Sequence, residues 1–240
     1  MRPLLIMSAY TIGSGACILL GGLLGCIPRL GPGWLDLELR HTLIAFGGGV
    51  LVSAVAIVLV PEGTELLGSP TWCALAFLGG GLAFFLLERF LGLQRVETPQ
   101  FEAMLLDFIP ESLALGMLFG AGAATAPLLA VLIGLQNLPE GFNALRELTA
   151  ASGRPAKGIL VRMGMLIPIG PLLGLLGWYY GAHHPRALGA IMLFASGGII
   201  YLLFQDIAPQ SRLAKHWAPA LGAVLGFSVG LLGDTLVRTV

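Results

Sequence analysis

Long apolar stretches separated by short polar segments form most of the chain. A helix needs about 20 apolar residues to cross the hydrocarbon core of a bilayer, and eight stretches of that kind can be found in the sequence. We therefore predict an all-α integral membrane protein with a single transmembrane domain over 1–240. The eight helices are expected at roughly 4–27, 41–62, 72–91, 100–121, 124–146, 157–181, 187–209 and 217–237.

The link between the fourth and fifth predicted helices is very short. Only Ala121-Gly122-Ala123-Ala124 separates their apolar stretches. Because a connection this short joins antiparallel neighbours, these two helices should form a hairpin. The hairpin would place similar sequence motifs in the two helices side by side.

Lys and Arg residues are unevenly divided between the two sides that eight crossings would create. One side carries ten of them and the other carries three, namely Arg2, Arg186 and Arg238. Cytoplasmic loops of membrane proteins hold the excess of Lys and Arg. We therefore predict that both termini are non-cytoplasmic and that the loop at 147–156 faces the cytoplasm.

Two pairs of similar segments indicate an internal repeat. Pro110-Glu111 and Pro139-Glu140 align without gaps, and Gly47-Gly48-Gly49 with a later Pro61 matches Ser196-Gly197-Gly198 with a later Pro209. A 3+2+3 inverted-repeat arrangement of the helices accommodates both pairs, and such repeats with a midplane site are common in transporters. For the second pair, a glycine-rich start and a proline near the end are also general features of membrane helices.

Composition agrees with the membrane interpretation. The chain is 56% hydrophobic and 11% charged, with a mean hydropathy of +0.88, whereas a soluble surface needs far more charge. The formal net charge of +0 gives no reason to expect a nucleic-acid partner. The three cysteines contain no C-x-x-C pair, so they predict neither a disulfide framework nor a thiolate metal site.

Polar side chains interrupt the apolar stretches of the fourth and fifth helices. Asp107 and Glu111 are four residues apart, as are Gln136 and Glu140, so each pair lies on one helix face. An ionised carboxylate at the centre of a membrane helix costs about 2.5–3.5 kcal/mol on insertion scales. We therefore expect these four side chains to face the protein interior and to carry the function.

The chemistry of this group favours a divalent cation. It contains three carboxylates and one amide, and proline removes a backbone donor, which leaves the carbonyls of Leu106 and Leu135 free beside the acids. Since three carboxylates exceed the charge of a divalent ion, one acid could hold a proton and release it when metal binds. A purely structural role, with the acids hydrogen-bonded between helices, is the alternative.

Five further residues are candidates for a secondary or pathway role. Asn137 adjoins Gln136 and is suited equally to a helix-to-helix hydrogen bond. Gln205, Asp206 and Glu62 lie near predicted helix ends, where polar residues are inexpensive. Met104 precedes Asp107 on the same helix and is also a common core filler.

No catalytic motif can be assembled. The chain has no H-E-x-x-H, no G-x-S-x-G and no P-loop. An intramembrane acid-dependent enzyme would need two carboxylates sharing a proton, whereas the spacing here alternates acid with amide. We therefore expect a protein that is not an enzyme.

The two Pro-Glu motifs resemble those of the ZIP (Zrt/Irt-like) family of divalent-metal permeases. The segments Asp107-Phe108-Ile109-Pro110-Glu111-Ser112-Leu113-Ala114-Leu115-Gly116 and Gln136-Asn137-Leu138-Pro139-Glu140-Gly141 carry the resemblance, which extends over essentially the whole chain. It implies eight helices in a 3+2+3 arrangement, external termini, and a metal site formed by Asp107, Glu111, Gln136 and Glu140.

The sequence also departs from the family pattern. The first ligand position is usually histidine and is Asp107 here. The positions of the family's secondary site correspond to Phe108, Asn137 and Ile167, so the resemblance implies one metal site rather than a pair. An all-oxygen site suits harder ions such as Mn²⁺ or Fe²⁺ better than a nitrogen-containing site does.

The resemblance implies transport of a divalent transition-metal cation toward the cytoplasm across the cell (inner) membrane. Zinc is the first expectation, with manganese, iron or cadmium as the others, and no prosthetic group is expected. The partners would be the metal ion and the lipid bilayer, and a homodimer is left open. The alternatives are a metal-binding or sensing membrane protein without flux and, after it, an intramembrane acid-dependent enzyme.

Overall fold

The computed structural model describes residues 2–28, 32–91, 99–181, 183–214 and 216–239, and these residues are almost entirely helical. Arg29, Arg95 and Lys215, which the count of basic residues includes, lie outside these ranges. The helices are α1 Arg2–Gly25, α2 Gly33–Ser53, α3 Val60–Leu67, α4 Pro70–Leu91, α5 Pro99–Ala121, α6 Ala126–Ser152, α7 Ala156–Gly164, α8 Ile169–Gly181, α9 Pro185–Leu202, α10 Ala208–Ser211 and α11 Ala218–Thr239.

Two short π-helical segments join consecutive helices into longer rods. We name them π1 (Ala54–Leu59, between α2 and α3) and π2 (Leu203–Ile207, between α9 and α10). Each ends two residues before a proline, Pro61 or Pro209. Because proline has no N–H to donate to the carbonyl four residues back, the preceding hydrogen bonds shift to five-residue spacing. Val60 N–H donates to Val55 and Ala208 N–H donates to Leu203.

The predicted helices agree with the observed rods to within a few residues at most ends, with three differences. The second rod begins at Gly33, well before its apolar part, and α6 continues past the predicted end to Ser152. The sixth is broken between α7 and α8, where Pro168 interrupts the hydrogen bonding and the chain forms tight turns such as Ile169 N–H to Leu166 C=O at 2.9 Å.

Seven helical segments in the described part of the chain, each a single helix or two consecutive helices, are long and apolar enough to span a membrane. They are Arg2–Gly25, Leu35–Leu67, Pro70–Phe90, Met104–Ala121, Ala156–Gly181, Pro185–Ser211 and Ala218–Thr239. The protein is therefore a multi-pass membrane protein by the length and composition of its helices.

The remaining long helix, α6, is shielded from lipid by other helices. It packs against α1, α2 and α5, and most of its length from Ala126 to Leu145 is buried. A helix enclosed by other helices does not need an apolar surface. This explains why α6 can carry buried amides and a buried acid.

Glycines bring four pairs of helices into backbone contact. At each of eight glycines an added Cβ would lie 1.8–2.2 Å from a carbonyl oxygen of the partner helix, a distance that no side chain tolerates. Small residues allow such approaches in membrane proteins, where van der Waals packing holds helices together. The glycines are Gly21 and Gly141 between α1 and α6, Gly116 and Gly177 between α5 and α8, Gly49 and Gly226 between α2 and α11, and Gly80 and Gly197 between α4 and α9.

The contacts also fix the relative direction of neighbouring helices. Along α2 and α11, Gly222 faces Thr42, Gly226 faces Phe46 and Gly230 faces Ser53, so these two helices are parallel. The pairs α4 with α9, α1 with α6 and α5 with α8 are parallel in the same way. By contrast, Gly63 of α3 faces Leu193 while Gly189 of α9 faces Leu66, so α3 and α9 are antiparallel.

The close contacts occur twice with the same spacing. Gly49 meets Ala223 and Gly226 meets Phe46; correspondingly, Gly197 meets Phe77 and Gly80 meets Phe194. The contacts between α1 and α6 are repeated between α8 and α5. Gly21 meets Leu138 and Gly141 meets Ile18; correspondingly, Gly177 meets Leu113 and Gly116 meets Gly174. With π1 and π2 at corresponding positions, the contacts describe an internal duplication of structure.

Candidate metal site

The hairpin of α5 and α6 buries the four predicted side chains. Asp107, Glu111, Gln136 and Glu140 are 1%, 0%, 0% and 5% exposed, respectively. The carboxylates of Asp107 and Glu140 each interact electrostatically with that of Glu111, and with each other. Gln136 Nε2 donates a hydrogen bond to Glu111 Oε1 at 2.7 Å, which joins the two helices directly. We refer to these four residues as the central cluster.

Each residue of the central cluster carries a buried oxygen without a hydrogen-bond partner. These atoms are Asp107 Oδ1, Glu111 Oε2, Gln136 Oε1 and both carboxylate oxygens of Glu140. Buried polar atoms are nearly always hydrogen-bonded in proteins, because an unsatisfied one costs about 1–3 kcal/mol. Their concentration on one hairpin suits a bound cation, which would compensate several of them at once.

The donor set fits a divalent cation, although the side chains do not converge fully. Within the described residues, no three His, Cys, Asp or Glu side chains form a group that could hold a metal ion. Glu111 has one oxygen bonded to Gln136 and one that is free, and Glu140 has both free. A cation bound here would require rotation of carboxylate side chains, and the Gln136 carbonyl oxygen would be available as an additional ligand.

Asn137 points away from the central cluster. Its side-chain amide donates to the Ser14 carbonyl of α1 at 3.0 Å. This is a helix-to-helix hydrogen bond, one of the two roles that the sequence allowed for this residue. The oxygen of the same side chain, Asn137 Oδ1, is buried without a partner.

Phe108 is fully buried and packs between α1 and α8. An added Cβ at Gly15 would lie 3.3 Å from Phe108 Cζ, and one at Gly170 would lie 3.2 Å from the same atom. The backbone of Ile167 also lies beside Gly15. Phe108, the backbone of Ile167 and Asn137 thus lie around Ser14–Gly15, and they present a phenyl ring, a main-chain segment and an amide already hydrogen-bonded to backbone.

The other candidate residues have their own surroundings. Met104 is 1% exposed and belongs to the hydrophobic core. Glu62 accepts a hydrogen bond from Thr125 Oγ1 at 2.7 Å, on the loop that joins α5 to α6. Asp206 lies in π2 beside Gln205; it is half-buried and interacts electrostatically with Glu88 and Glu147 rather than with the central cluster.

Buried polar residues outside the predicted set are also present. Asn143, 0% exposed, accepts a hydrogen bond from Arg40 Nε at 3.2 Å and donates to the Pro139 carbonyl at 3.0 Å. Glu88 accepts a hydrogen bond from the Tyr201 hydroxyl, and Asp234 is paired with Arg238 at 2.8 Å. In the sequence Glu88 and Asp234 lie near the ends of predicted helices, where charged residues are common. No sequence pattern therefore predicts that these two acids are buried.

Neither a protein-family model nor a curated protein matches this chain.

Proposed function

We propose that the protein carries a divalent transition-metal cation across a membrane toward the cytoplasm. The observation that carries this proposal is the set of unpaired, buried oxygens on Asp107, Glu111, Gln136 and Glu140. Such groups are expensive inside a membrane protein and mark ion pathways. The ZIP resemblance of the two Pro-Glu motifs leads to the same proposal.

Each residue of the central cluster has a distinct role in this proposal. Glu111 and Glu140 hold the ion, and Gln136 supplies a neutral oxygen while its amide orients Glu111. Asp107 adds a third negative charge and exchanges a proton when metal binds. Transport follows from alternating exposure of the cluster as one group of helices moves against another.

Eight crossings in a 3+2+3 inverted repeat, with external termini, are part of the proposal. The parallel pairs and the duplicated glycine contacts support it, because α1 runs parallel to α6 only if an even number of reversals lies between them. The repeat relates α1–α4 to α7–α11 and α5 to α6. A cysteine replacing Arg154 should react with an impermeant thiol reagent only from the cytoplasmic side.

A single ion in the cluster is more consistent with the packing than a pair of ions. The three residues around Ser14–Gly15 provide no free carboxylate, and the Phe108 ring occupies the space between α1 and α8. Zinc is proposed first, and manganese, iron and cadmium are the other candidates. The all-oxygen donor set favours the harder of these ions.

Metal uptake into proteoliposomes tests the proposal. We expect the wild-type protein to accumulate metal down an imposed metal gradient and Glu140→Gln to lose uptake of all four metals together. Removing a carboxylate ligand should reduce uptake at least about tenfold. The control is Glu65→Gln, because Glu65 is an exposed acid on α3.

Other outcomes would change the assignment. Stoichiometric metal binding without flux would indicate a metal sensor, and turnover of a membrane substrate would indicate an enzyme. Unchanged uptake by Glu140→Gln would rule out the central cluster as the transport site.

A further inference from the structure

Two buried acids in the described residues lie outside the central cluster and have no role in the proposed function. Glu88 on α4 is 3% exposed and Asp234 on α11 is 8% exposed. Because a buried carboxylate in a membrane helix is costly, each requires a physical reason.

The two acids occupy corresponding positions in the duplicated structure. Gly80 of α4 contacts Phe194 and Gly226 of α11 contacts Phe46, and these contacts are equivalent. Glu88 follows Gly80 by the same number of residues as Asp234 follows Gly226, which is about two helical turns. An acid is therefore present at the same place in both copies of the repeat.

The acids lie at opposite ends of the bundle. Each is in the C-terminal part of its helix. Helix α11 is parallel to the α2–α3 rod, α4 is parallel to α9, and α3 is antiparallel to α9. It follows that α4 and α11 run in opposite directions, and the two acids lie on either side of the central cluster.

The two carboxylates differ in how they are satisfied. Glu88 Oε2 accepts a hydrogen bond from the Tyr201 hydroxyl. Asp234 Oδ2 is paired with Arg238 Nε at 2.8 Å, but Asp234 Oδ1 is buried and has no partner. The Arg238 side chain is 70% exposed, so its guanidinium can move into solvent when another cation takes its place on Asp234. Asp234 therefore has one free oxygen and a second oxygen with an exchangeable partner.

We propose that Asp234 is a second cation-binding residue. It takes up the divalent cation at the end of the bundle where the C-terminus of α11 lies. Glu88 is its counterpart at the opposite end. The proposal deepens the proposed function and rests on it for the direction of movement. Hard divalent cations bind carboxylate oxygens, so such a cation can take the place of the Arg238 guanidinium on Asp234. Arg238 then competes with the ion for Asp234 and keeps its affinity low enough for onward transfer.

Binding of Mn²⁺ to the detergent-solubilised protein, followed by the electron paramagnetic resonance signal of the free ion, tests this proposal without any need for flux. We expect a tight and a weaker class of site in the wild-type protein. Glu140→Gln should lose the tight class of site. Asp234→Asn should lose the weaker class, both in the otherwise wild-type protein and in the Glu140→Gln variant. Glu65→Gln, at the same end of the bundle, should retain both classes.

A second variant separates binding from a structural role for the ion pair. Arg238→Ala removes the competing guanidinium, so the weaker class should bind Mn²⁺ about tenfold more tightly, which corresponds to about 1.4 kcal/mol. A merely structural Asp234–Arg238 pair predicts no gain in affinity. The proposal is overturned if Asp234→Asn leaves the weaker class unchanged or if Glu65→Gln removes it equally. Absence of uptake by wild-type vesicles would instead count against the proposed function alone.

Discussion

Gln136 has a different part in the central cluster from the three acids because an amide both donates and accepts hydrogen bonds. Its Nε2 holds one oxygen of Glu111, and its own Oε1 stays unpaired. The residue therefore fixes the orientation of a neighbouring carboxylate and still has an unpaired, neutral oxygen. The sequence predicted the position of Gln136 beside Glu140, but not the bond between α5 and α6.

Asp107 is the residue whose replacement should change metal preference most clearly. Asp107→His introduces a softer nitrogen ligand in place of a carboxylate, which favours zinc over manganese. We expect the ratio of zinc to manganese uptake to rise about tenfold, which corresponds to about 1.4 kcal/mol of differential binding. Competition between the two metals in the same vesicles measures this ratio.

Asp107→Asn is the matched control, because it removes the charge without adding nitrogen coordination by an imidazole. It should lower uptake of both metals without the same rise in the ratio. An unchanged ratio in Asp107→His would show that Asp107 is not a ligand.

Residue-level predictions from the sequence succeeded where helical spacing alone decides the outcome. Asp107 and Glu111 are buried on one helix, as the four-residue spacing indicated. The direction of Phe108 could not be predicted, since it depends on Gly15 and Gly170 in two other helices. The burial of Glu88 and Asp234 likewise depends on neighbours distant in sequence.

At the scale of helices, positions were easier to predict than continuity. Apolar length located each rod, but π1 and π2 involve no change in composition and left no pattern in hydropathy. The prolines that follow them were visible, although a proline in a membrane helix can equally produce a simple kink. The break at Pro168 was not predicted either, because Pro110 and Pro139 lack the same donor and yet lie within the continuous helices α5 and α6.

The crossing of α4 and α9 gives a prediction about stability. Gly80→Ala places a Cβ 1.8 Å from the Phe194 carbonyl oxygen, so the helices must separate. We expect the free energy of unfolding to fall by about 1–3 kcal/mol, as for other overpacked sites. Thermal unfolding in detergent, followed by circular dichroism, provides the measurement.

The neighbouring glycine is the control for this variant. A Cβ at Gly79 would meet nothing within 4 Å. Gly79→Ala should be neutral or stabilising by up to about 1 kcal/mol, because alanine is the better helix former. Equal destabilisation by the two variants would contradict the close contact at Gly80.

At the scale of the whole molecule, the repeat was only partly visible in the sequence. The sequence aligned Gly49 with Gly198, whereas the contacts match Gly49 with Gly197. The helix contacts also make Gly141 correspond to Gly116. The alignment of the Pro-Glu motifs would instead pair Gly141 with a residue about one helical turn before Gly116, and nothing in the structure explains this offset. Three-dimensional contacts preserve the duplication more clearly than residue identities do, because packing constrains size and spacing.

The central claim is that one divalent cation is bound between α5 and α6 by Asp107, Glu111, Gln136 and Glu140. Anomalous scattering from crystals soaked in zinc or manganese tests it most directly, since the position of the ion and its ligands are seen together. We predict one strong peak within about 2.0–2.6 Å of ligand oxygens from both helices of the hairpin. A metal-saturated crystal with no peak at these residues, or with its peak beside Phe108 and Asn137 instead, would contradict the account.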